Sequence, residues 1–168
     1  MQQSLPSDEI ELLKSTIGQK IINVGRRLFE GDLYLKNNLE NYEQMADGKT
    51  ELVFSNGNVI SFYPWTEIYS VSIDRQKIER AGECSVYRDL TNNLFWRQRV
   101  GQTITEVTII KSIYASEDNS MEFGVEFEFE NGLKACIEYV DDNEYVFDAL
   151  IITEQNEETR CSKFALSN

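Results

Sequence analysis

Short alternating runs of apolar and polar residues predict β-strands through most of the chain. Residues 18–29 and 101–115 are rich in Ile, Val and Thr, which favour a pleated, half-buried strand. Two Asn-Gly pairs, Asn56-Gly57 and Asn131-Gly132, each follow an alternating run and are typical of hairpin turns. The pattern therefore indicates antiparallel sheet joined by tight turns.

The residues around the second Asn-Gly pair distinguish between two turn lengths. A two-residue turn would set Phe127 opposite Cys136 and mix apolar and charged side chains on one face. A three-residue loop at residues 130–132, with its glycine in the left-handed conformation, sets Phe127 opposite Ala135 and separates the faces. The same loop is predicted at residues 55–57. The further pairs that follow are Phe129 with Leu133, Val125 with Ile137 and Leu52 with Ile60.

Helical spacing of apolar residues predicts one helix ahead of each group of strands. The first covers residues 7–16, begins at the capping residue Ser7 with acidic residues in its first turn, and is ended by Gly18. The second lies within residues 85–99, where Leu90 and Leu94 keep helical spacing. A further short segment is either helix or loop, and its apolar residues are Leu35, Leu39 and Tyr42.

Three motifs recur in the same order, which indicates an internal repeat. The first is an apolar-Gly-Gln-x-Ile-x-x-Val pattern, and the three offsets are 83, 75 and 76 positions. The matches are residues 17–24 with 100–107, 52–57 with 127–132, and 69–71 with 145–147. Coincidence among common strand and turn patterns is the alternative explanation.

The repeat organises the predicted fold. The change in offset requires about eight extra residues in the first unit, most simply in the polar stretch 33–49. We expect one α+β domain over residues 1–168, predominantly antiparallel sheet, built from two weakly repeated helix-then-β-meander units at about 7–73 and 85–152.

Composition excludes several kinds of chemistry. The chain has 29 Asp and Glu against 16 Lys and Arg, a net charge of −13, so a phosphate backbone should repel it. It contains no His, which excludes Ser-His-Asp and Cys-His catalysis and His-ligated zinc. Its three cysteines form no closely spaced pair. We predict no cofactor, no bound metal and no direct contact with nucleic acid.

The amino terminus and the hydropathy pattern bear on location. The first ten residues lack the basic and apolar regions of a signal peptide, and no stretch has the ~20 apolar residues that span a bilayer. We therefore expect a cytoplasmic protein that does not contact a membrane.

Acidic residues are concentrated in the second repeat, where residues 100–168 carry 15 acidic and 4 basic side chains. Alternation places one row of them on a single strand face, predicted to be exposed with ordinary pKa values. The row is Glu122, Glu126, Glu128 and Glu130. It is either a solvated face or a docking surface for a basic partner.

Two further segments are candidate parts of that surface. The turn with Asp141, Asp142 and Glu144 adds negative charge but lacks the spacing of an EF-hand calcium loop. Tyr63 and Trp65 flank a proline just after a predicted strand, where they are either core residues or exposed anchors for a partner.

In size, acidity, predicted α+β hairpin architecture and lack of a catalytic motif, the chain resembles bacterial immunity proteins of toxin–immunity systems, including contact-dependent inhibition systems. The resemblance implies a non-enzymatic inhibitor that covers the basic active site of a partner such as a nuclease toxin. Glu126, Glu128 and Glu130 would then set the association rate, and Trp65 would hold the complex.

Two other function classes remain open. A non-catalytic module that binds a small ligand or a second copy accounts better for the repeat. A hydrolase that uses only carboxylates would need one carboxyl group with a raised pKa in an apolar pocket.

Overall fold

The computed structural model describes residues 7–29, 45–46, 49–65, 70–82, 84–112, 122–141, 148–154 and 161–167. This part of the chain contains one α-helix, twelve strands and one 3-10 turn. The helix α1 is Ser7–Lys14 and the 3-10 turn is Trp96–Gln98. The strands are β1 Ile21–Phe29, β2 Met45–Ala46, β3 Thr50–Phe54, β4 Val59–Trp65, β5 Ser70–Asp74, β6 Ala81–Gly82, β7 Ser85–Asp89, β8 Ile104–Ser112, β9 Glu122–Phe129, β10 Lys134–Asp141, β11 Asp148–Thr153 and β12 Cys161–Leu166.

The described strands form two six-stranded sheets, in the orders β5-β4-β3-β1-β7-β6 and β12-β8-β9-β10-β11-β2. All of their pairings are antiparallel. Each sheet contains a meander, β1-β3-β4-β5 in the first and β8-β9-β10-β11 in the second. A later strand, β7 or β12, then returns to the free side of the first strand of its meander. The predicted dominance of antiparallel sheet is confirmed.

The predicted register of both hairpins is confirmed. Phe127 pairs with Ala135, Val125 with Ile137, and Leu52 with Ile60. Gly132 and Gly57 have φ values of +80° and +84°, the left-handed conformation that a three-residue loop with a terminal glycine needs. Separation of apolar and polar faces therefore selected the turn length correctly.

The prediction of the first helix is confirmed, and the prediction of the second helix is wrong. Helix α1 begins at Ser7 and buries Leu12 and Leu13, although it ends at Lys14 rather than residue 16. Residues 85–89 instead form β7, because pairing with β1 satisfies the backbone groups of both strands. Only the 3-10 turn Trp96–Gln98 follows it. The segment with Leu35, Leu39 and Tyr42 lies outside the described residues.

The two sheets meet in a seam centred on Lys20 and Thr103, which are 83 positions apart. The backbone N–H of Gly18 donates to the carbonyl of Ile104, and the N–H of Gly101 donates to the carbonyl of Ile21, both at 2.8 Å. Lys20 and Thr103 form an antiparallel bridge between these contacts. Each sheet thus supplies a backbone partner for the start of the other sheet's first strand.

Matched hydrogen bonds continue into the two hairpins. The N–H of Ser55 donates to the carbonyl of Lys20 at 2.8 Å, and the N–H of Glu130 donates to the carbonyl of Thr103 at 2.9 Å. The connection that follows β1 contains β2, which pairs with β11 at the edge of the second sheet. This connection includes the stretch 33–49, in which the sequence predicted the extra residues.

One core lies between the sheets. Phe62 of β4 and Phe127 of β9 meet edge to face with ring centroids 6.1 Å apart, and β5 packs on β9 and β10. Arg26 is also buried here and donates to the carbonyl of Leu150 in the opposite sheet. The repeat units predicted from the sequence therefore contribute to a common core. Among the described residues, no helix has the length and apolar character needed to cross a bilayer.

Candidate functional site

The predicted acidic row does not form a uniformly exposed face. The side chain of Glu126 is only 3% exposed, whereas that of Glu128 is 38% exposed and Glu130 is exposed. The expectation that Glu126 is a free surface carboxylate is therefore wrong. It fails because β10 and β12 place lysines on the same outer face of the second sheet.

Glu126 is held by two lysines. Lys134 Nζ lies 3.0 Å from Glu126 Oε1, and Lys163 Nζ lies 2.8 Å from Oε2. Burial raises the pKa of Glu126, but hydrogen bonds from the two lysines outweigh it and leave the pKa below its usual value. The same contact with Glu126 raises the pKa of Lys134. Glu126 thus joins β9, β10 and β12 across the sheet.

The surroundings of Glu126 are buried as well. Cys136 lies directly opposite it on β10, and Glu138 lies opposite Gly124. Burial and then the charge of Glu138 raise the pKa of the Cys136 thiol, so this cysteine stays protonated and is not an activated nucleophile. The other described free thiol, Cys84, is exposed.

Three acidic side chains near Glu126 are accessible to solvent. We call these residues, Glu106, Glu128 and Glu130, the acidic patch. Glu106 of β8 is exposed and lies directly opposite Glu128 of β9. Lys134 Nζ is 3.2 Å from Glu128 Oε2, but this lysine is shared with Glu126. Two like charges that face each other across strands destabilise the sheet, so the arrangement favours an added cation.

Glu130 lies at the hairpin end of the acidic patch. Its Oε1 accepts a hydrogen bond of 3.0 Å from the backbone N–H of Thr103. This backbone contact, with a smaller effect from Lys20, lowers the pKa of Glu130. The carboxylate therefore keeps its charge in mildly acidic solution while it remains accessible to a partner.

The other residues predicted for the site are only partly described. Glu122 and Asp141 lie in β9 and β10, where the backbone alone is described, and Asp142 and Glu144 lie outside the described residues. Their part in a partner surface stays a prediction.

The aromatic candidates lie on β4. Tyr63 is half-buried with Lys49 Nζ 5.0 Å from its ring centroid, and only the backbone of Trp65 is described. The strand runs through Pro64, contrary to the expectation that it would end before the proline. Pro64 pairs with Val71 on β5, beyond the point where β3 accompanies β4. A proline is tolerated there because its missing N–H is not needed by a second neighbour.

Sequence reasoning missed a second buried carboxylate, Glu51 of β3. Its side chain is 0% exposed and accepts hydrogen bonds from both guanidinium ends of Arg80, at 2.9 and 3.2 Å. The backbone N–H of Ile78 donates to it at 2.6 Å and the hydroxyl of Tyr87 at 3.4 Å. Tyr87 reaches it over Gly25, where a Cβ would lie 1.8 Å from the Tyr87 hydroxyl. The repeated motif at residues 52–57 and 127–132 has an offset of 75 positions, which aligns Glu51 with Glu126. This alignment was the sequence signal that could have identified Glu51.

Three of the described carboxyl groups lack the raised pKa that a general acid needs. The pKa of Asp89 is lowered chiefly by Thr91, and those of Glu126 and Glu130 are also lowered, whereas a general acid needs a raised pKa. Within the described ranges, no group of three or more cysteine or acidic residues is arranged to hold a metal ion. On the outer face, the acidic patch is an accessible cluster of negative charge beside the half-exposed Lys134.

Comparisons with protein-family models, with curated proteins and with solved structures found no match for this chain.

Proposed function

We propose that this chain is a cytoplasmic, non-enzymatic inhibitor that binds a basic protein through the acidic patch and covers its active surface, as immunity proteins do. The observation that carries the proposal is the direct opposition of Glu106 and Glu128 across β8 and β9. A lysine or arginine from a partner would relieve the repulsion between them, because it would lie between two carboxylates.

Local charge balance supports this surface over Glu126 of the predicted row. Lys134 and Lys163 are both committed to the buried Glu126. In the described part of the chain, neither Glu106 nor Glu130 has an ion-pair partner, although Glu106 accepts a hydrogen bond from the Thr108 hydroxyl at 3.2 Å. The acidic patch therefore retains charge that steers and selects a cationic partner.

Rigid supports hold the patch in place. Glu106 and Glu128 lie on paired strands, and Glu130 is tied by its backbone N–H and its carboxylate to Thr103. Little backbone freedom would be lost on binding, which favours affinity. A flat, anchored acidic surface fits the occlusion of a basic cleft.

The test is affinity capture of the partner from the source cell, followed by kinetics with the purified pair. We expect one stoichiometric basic protein that is released at high salt. The variant Glu106→Lys/Glu130→Lys should lower the association rate at least about tenfold and change the dissociation rate less.

The matched control is Glu11→Lys/Glu79→Lys, which makes the same change in net charge at exposed residues outside the acidic patch. It should leave the association rate within about twofold of the wild type. Equal effects of the two variants would show that only net charge matters and would contradict the proposal. Capture of no basic protein would also contradict it.

A second candidate function is a non-catalytic binding or assembly module. The observation that favours it is β12, which lies at the edge of the second sheet with Phe164 50% exposed. Such an edge can add another strand.

A further inference from the structure

The two hairpin loops contain Asn-Gly pairs, and such pairs are prone to spontaneous deamidation. The backbone nitrogen of the glycine attacks Cγ of the asparagine, and the absence of a Cβ on the glycine leaves this approach unhindered. The amide nitrogen leaves as ammonia and a five-membered succinimide ring forms. Water then opens the ring to aspartate or isoaspartate. Both pairs, Asn56-Gly57 and Asn131-Gly132, are exposed and are therefore candidate modification sites.

The attacking nitrogen has the same surroundings in both loops. The N–H of Gly57 donates to the carbonyl of Phe54 at 2.9 Å, and the N–H of Gly132 donates to the carbonyl of Phe129 at 2.8 Å. The two glycines have φ values of +84° and +80°. The glycine nitrogens are thus held alike, so we expect any difference in reactivity to come from the asparagine side chains.

The asparagine side chains share one hydrogen bond. Asn56 Oδ1 accepts from the N–H of Asn58 at 3.0 Å, and Asn131 Oδ1 accepts from the N–H of Leu133 at 3.1 Å. In each loop this bond folds the side chain back over its own backbone. It also draws electron density from Cγ, the atom that the glycine nitrogen attacks. These contacts favour reaction at both sites equally.

A second hydrogen bond distinguishes the two asparagines. Asn131 Nδ2 donates to the carbonyl of Gln98 at 2.9 Å, and Gln98 ends the 3-10 turn in which Trp96 is buried. Among the described residues, Asn56 Nδ2 has no hydrogen-bond acceptor. The residue 83 positions before Gln98 is Ser15, directly after α1, and its described hydrogen bonds do not involve Asn56. The first unit therefore lacks the contact that holds the amide nitrogen in the second.

The number of hydrogen bonds determines how easily the amide can turn. Two bonds fix the plane of the Asn131 amide, whereas the single bond of Asn56 allows rotation about that contact. Ring closure requires rotation that brings Cγ toward the glycine nitrogen, so Asn131 must first lose its bond to Gln98. We propose that Asn56 is a site of spontaneous deamidation in the folded protein and that the bond to Gln98 protects Asn131.

The modification would change the first sheet and leave the acidic patch intact. Isoaspartate at position 56 adds one atom to the backbone of the loop. The N–H of Phe54 donates to the carbonyl of Asn58 across this loop, and the N–H of Ser55 donates to Lys20 in the seam. These contacts suit a loop of three ordinary residues, so we expect isoaspartate to weaken them. Aspartate would keep the loop and add one negative charge.

The experiment incubates the full chain under native conditions at neutral and at mildly alkaline pH. Peptide mapping by mass spectrometry follows the exchange of NH2 for OH in each loop, and an isoaspartate-specific methyltransferase detects isoaspartate. We expect Asn56 to deamidate at least about twofold faster than Asn131, the smallest ratio that one ordinary hydrogen bond supplies. Both rates should rise with pH, because the attacking nitrogen must lose its proton.

The same chain unfolded in urea is the matched control. The residues that flank the pairs differ, since Ser55 and Asn58 surround the first and Glu130 and Leu133 the second. The unfolded chain measures the effect of these neighbours without the folded contacts. We expect the ratio of the two rates to fall toward one in urea and to return after refolding.

Variants assign the released ammonia to each loop. Asn56→Ser should remove more of the ammonia that the native chain releases than Asn131→Ser does. Equal native rates at the two sites, or a faster rate at Asn131, would overturn the proposal. A ratio as large in urea as in the native chain would assign the difference to neighbouring residues and overturn it too. So would a native chain that keeps Asn56 intact for as long as the unfolded chain takes to lose it.

Discussion

Glu126 occupies in the second sheet the position that Glu51 occupies in the first. Each lies on the second strand of its meander, opposite a small residue of the first strand, Gly25 or Thr108. Each is almost fully buried on the outer face of its sheet, with side-chain exposures of 0% and 3%. The cations differ, since Arg80 holds Glu51 while two lysines hold Glu126. A buried carboxylate with cationic cover is therefore common to both sheets.

We predict that Glu126→Gln destabilises the protein by about 1–3 kcal/mol at pH 7, the cost of removing charge-assisted hydrogen bonds. The pKa of Glu126 is lowered in the folded state, so its contribution is present above the unfolded value of about 4.3 and is lost as pH falls through the folded pKa. Urea denaturation from pH 7 to pH 3 should show a shallower loss of stability in the variant.

The control for this prediction is Glu106→Gln, which changes an exposed carboxylate whose only described hydrogen bond is with the Thr108 hydroxyl. It should leave both stability and its pH dependence within about 0.5 kcal/mol of the wild type. If Glu126→Gln behaves like this control, the two lysines do not stabilise the fold through Glu126.

Gly25→Ala should destabilise the first sheet. Its Cβ would lie 1.8 Å from the hydroxyl and 2.2 Å from the ring of Tyr87, which must move away from Glu51. We expect a loss of about 1–3 kcal/mol in the free energy of unfolding, as for other overpacked sites. In a double-mutant cycle with Tyr87→Ala the two losses should be clearly non-additive. Strict additivity would show that the two residues do not compete for space.

The two hairpin glycines provide an internal comparison. No atom lies within 4 Å of the position that a Cβ would take at Gly57 or Gly132, so Ala there adds only backbone strain. With φ values of +84° and +80°, each substitution should cost about 1–2 kcal/mol. Thermal or urea denaturation of Gly57→Ala and Gly132→Ala should give similar losses. A cost at one position alone would show that the loops are not equivalent.

Glu106→Lys should stabilise the free protein while it weakens partner binding. The new lysine would face Glu128 across β8 and β9 and replace repulsion with attraction. We expect a gain of about 0.2–1 kcal/mol in the free energy of unfolding, measured by urea denaturation at low salt. The gain should shrink at high salt because these side chains are screened. Destabilisation would mean that the Glu106–Glu128 repulsion is negligible.

The sequence was sufficient to predict the parts of the fold that depend on a local pattern of residues. Hairpin register followed from the requirement that Phe127 and Val125 share a face with Ala135 and Ile137. Helix α1 followed from the candidate capping residue Ser7, the acidic first turn and the apolar stripe.

Properties that depend on distant strands were not accessible in this way. Glu126 is buried because Lys163, 37 positions later, is placed beside it by the pairing of β12 with β8. The alternation of apolar and polar residues along β9 assigned Glu126 to the correct face of the sheet. It could not show that Lys134 and Lys163 cover the carboxylate. The second helix was mispredicted for the same reason, since β7 gains its backbone partners from β1, far earlier in the chain.

The seam between Gly18 and Ile104 and between Gly101 and Ile21 sets the order of events during synthesis. A ribosome that adds about 5–20 residues per second makes Gly101 roughly 4–16 s after Ile21. During that interval the start of β1 has no seam partner, and Phe62 has no Phe127 to pack against. The nascent first meander therefore presents an open apolar face to the cell. Yield of native protein should depend on translation speed and on chaperones that cover this face.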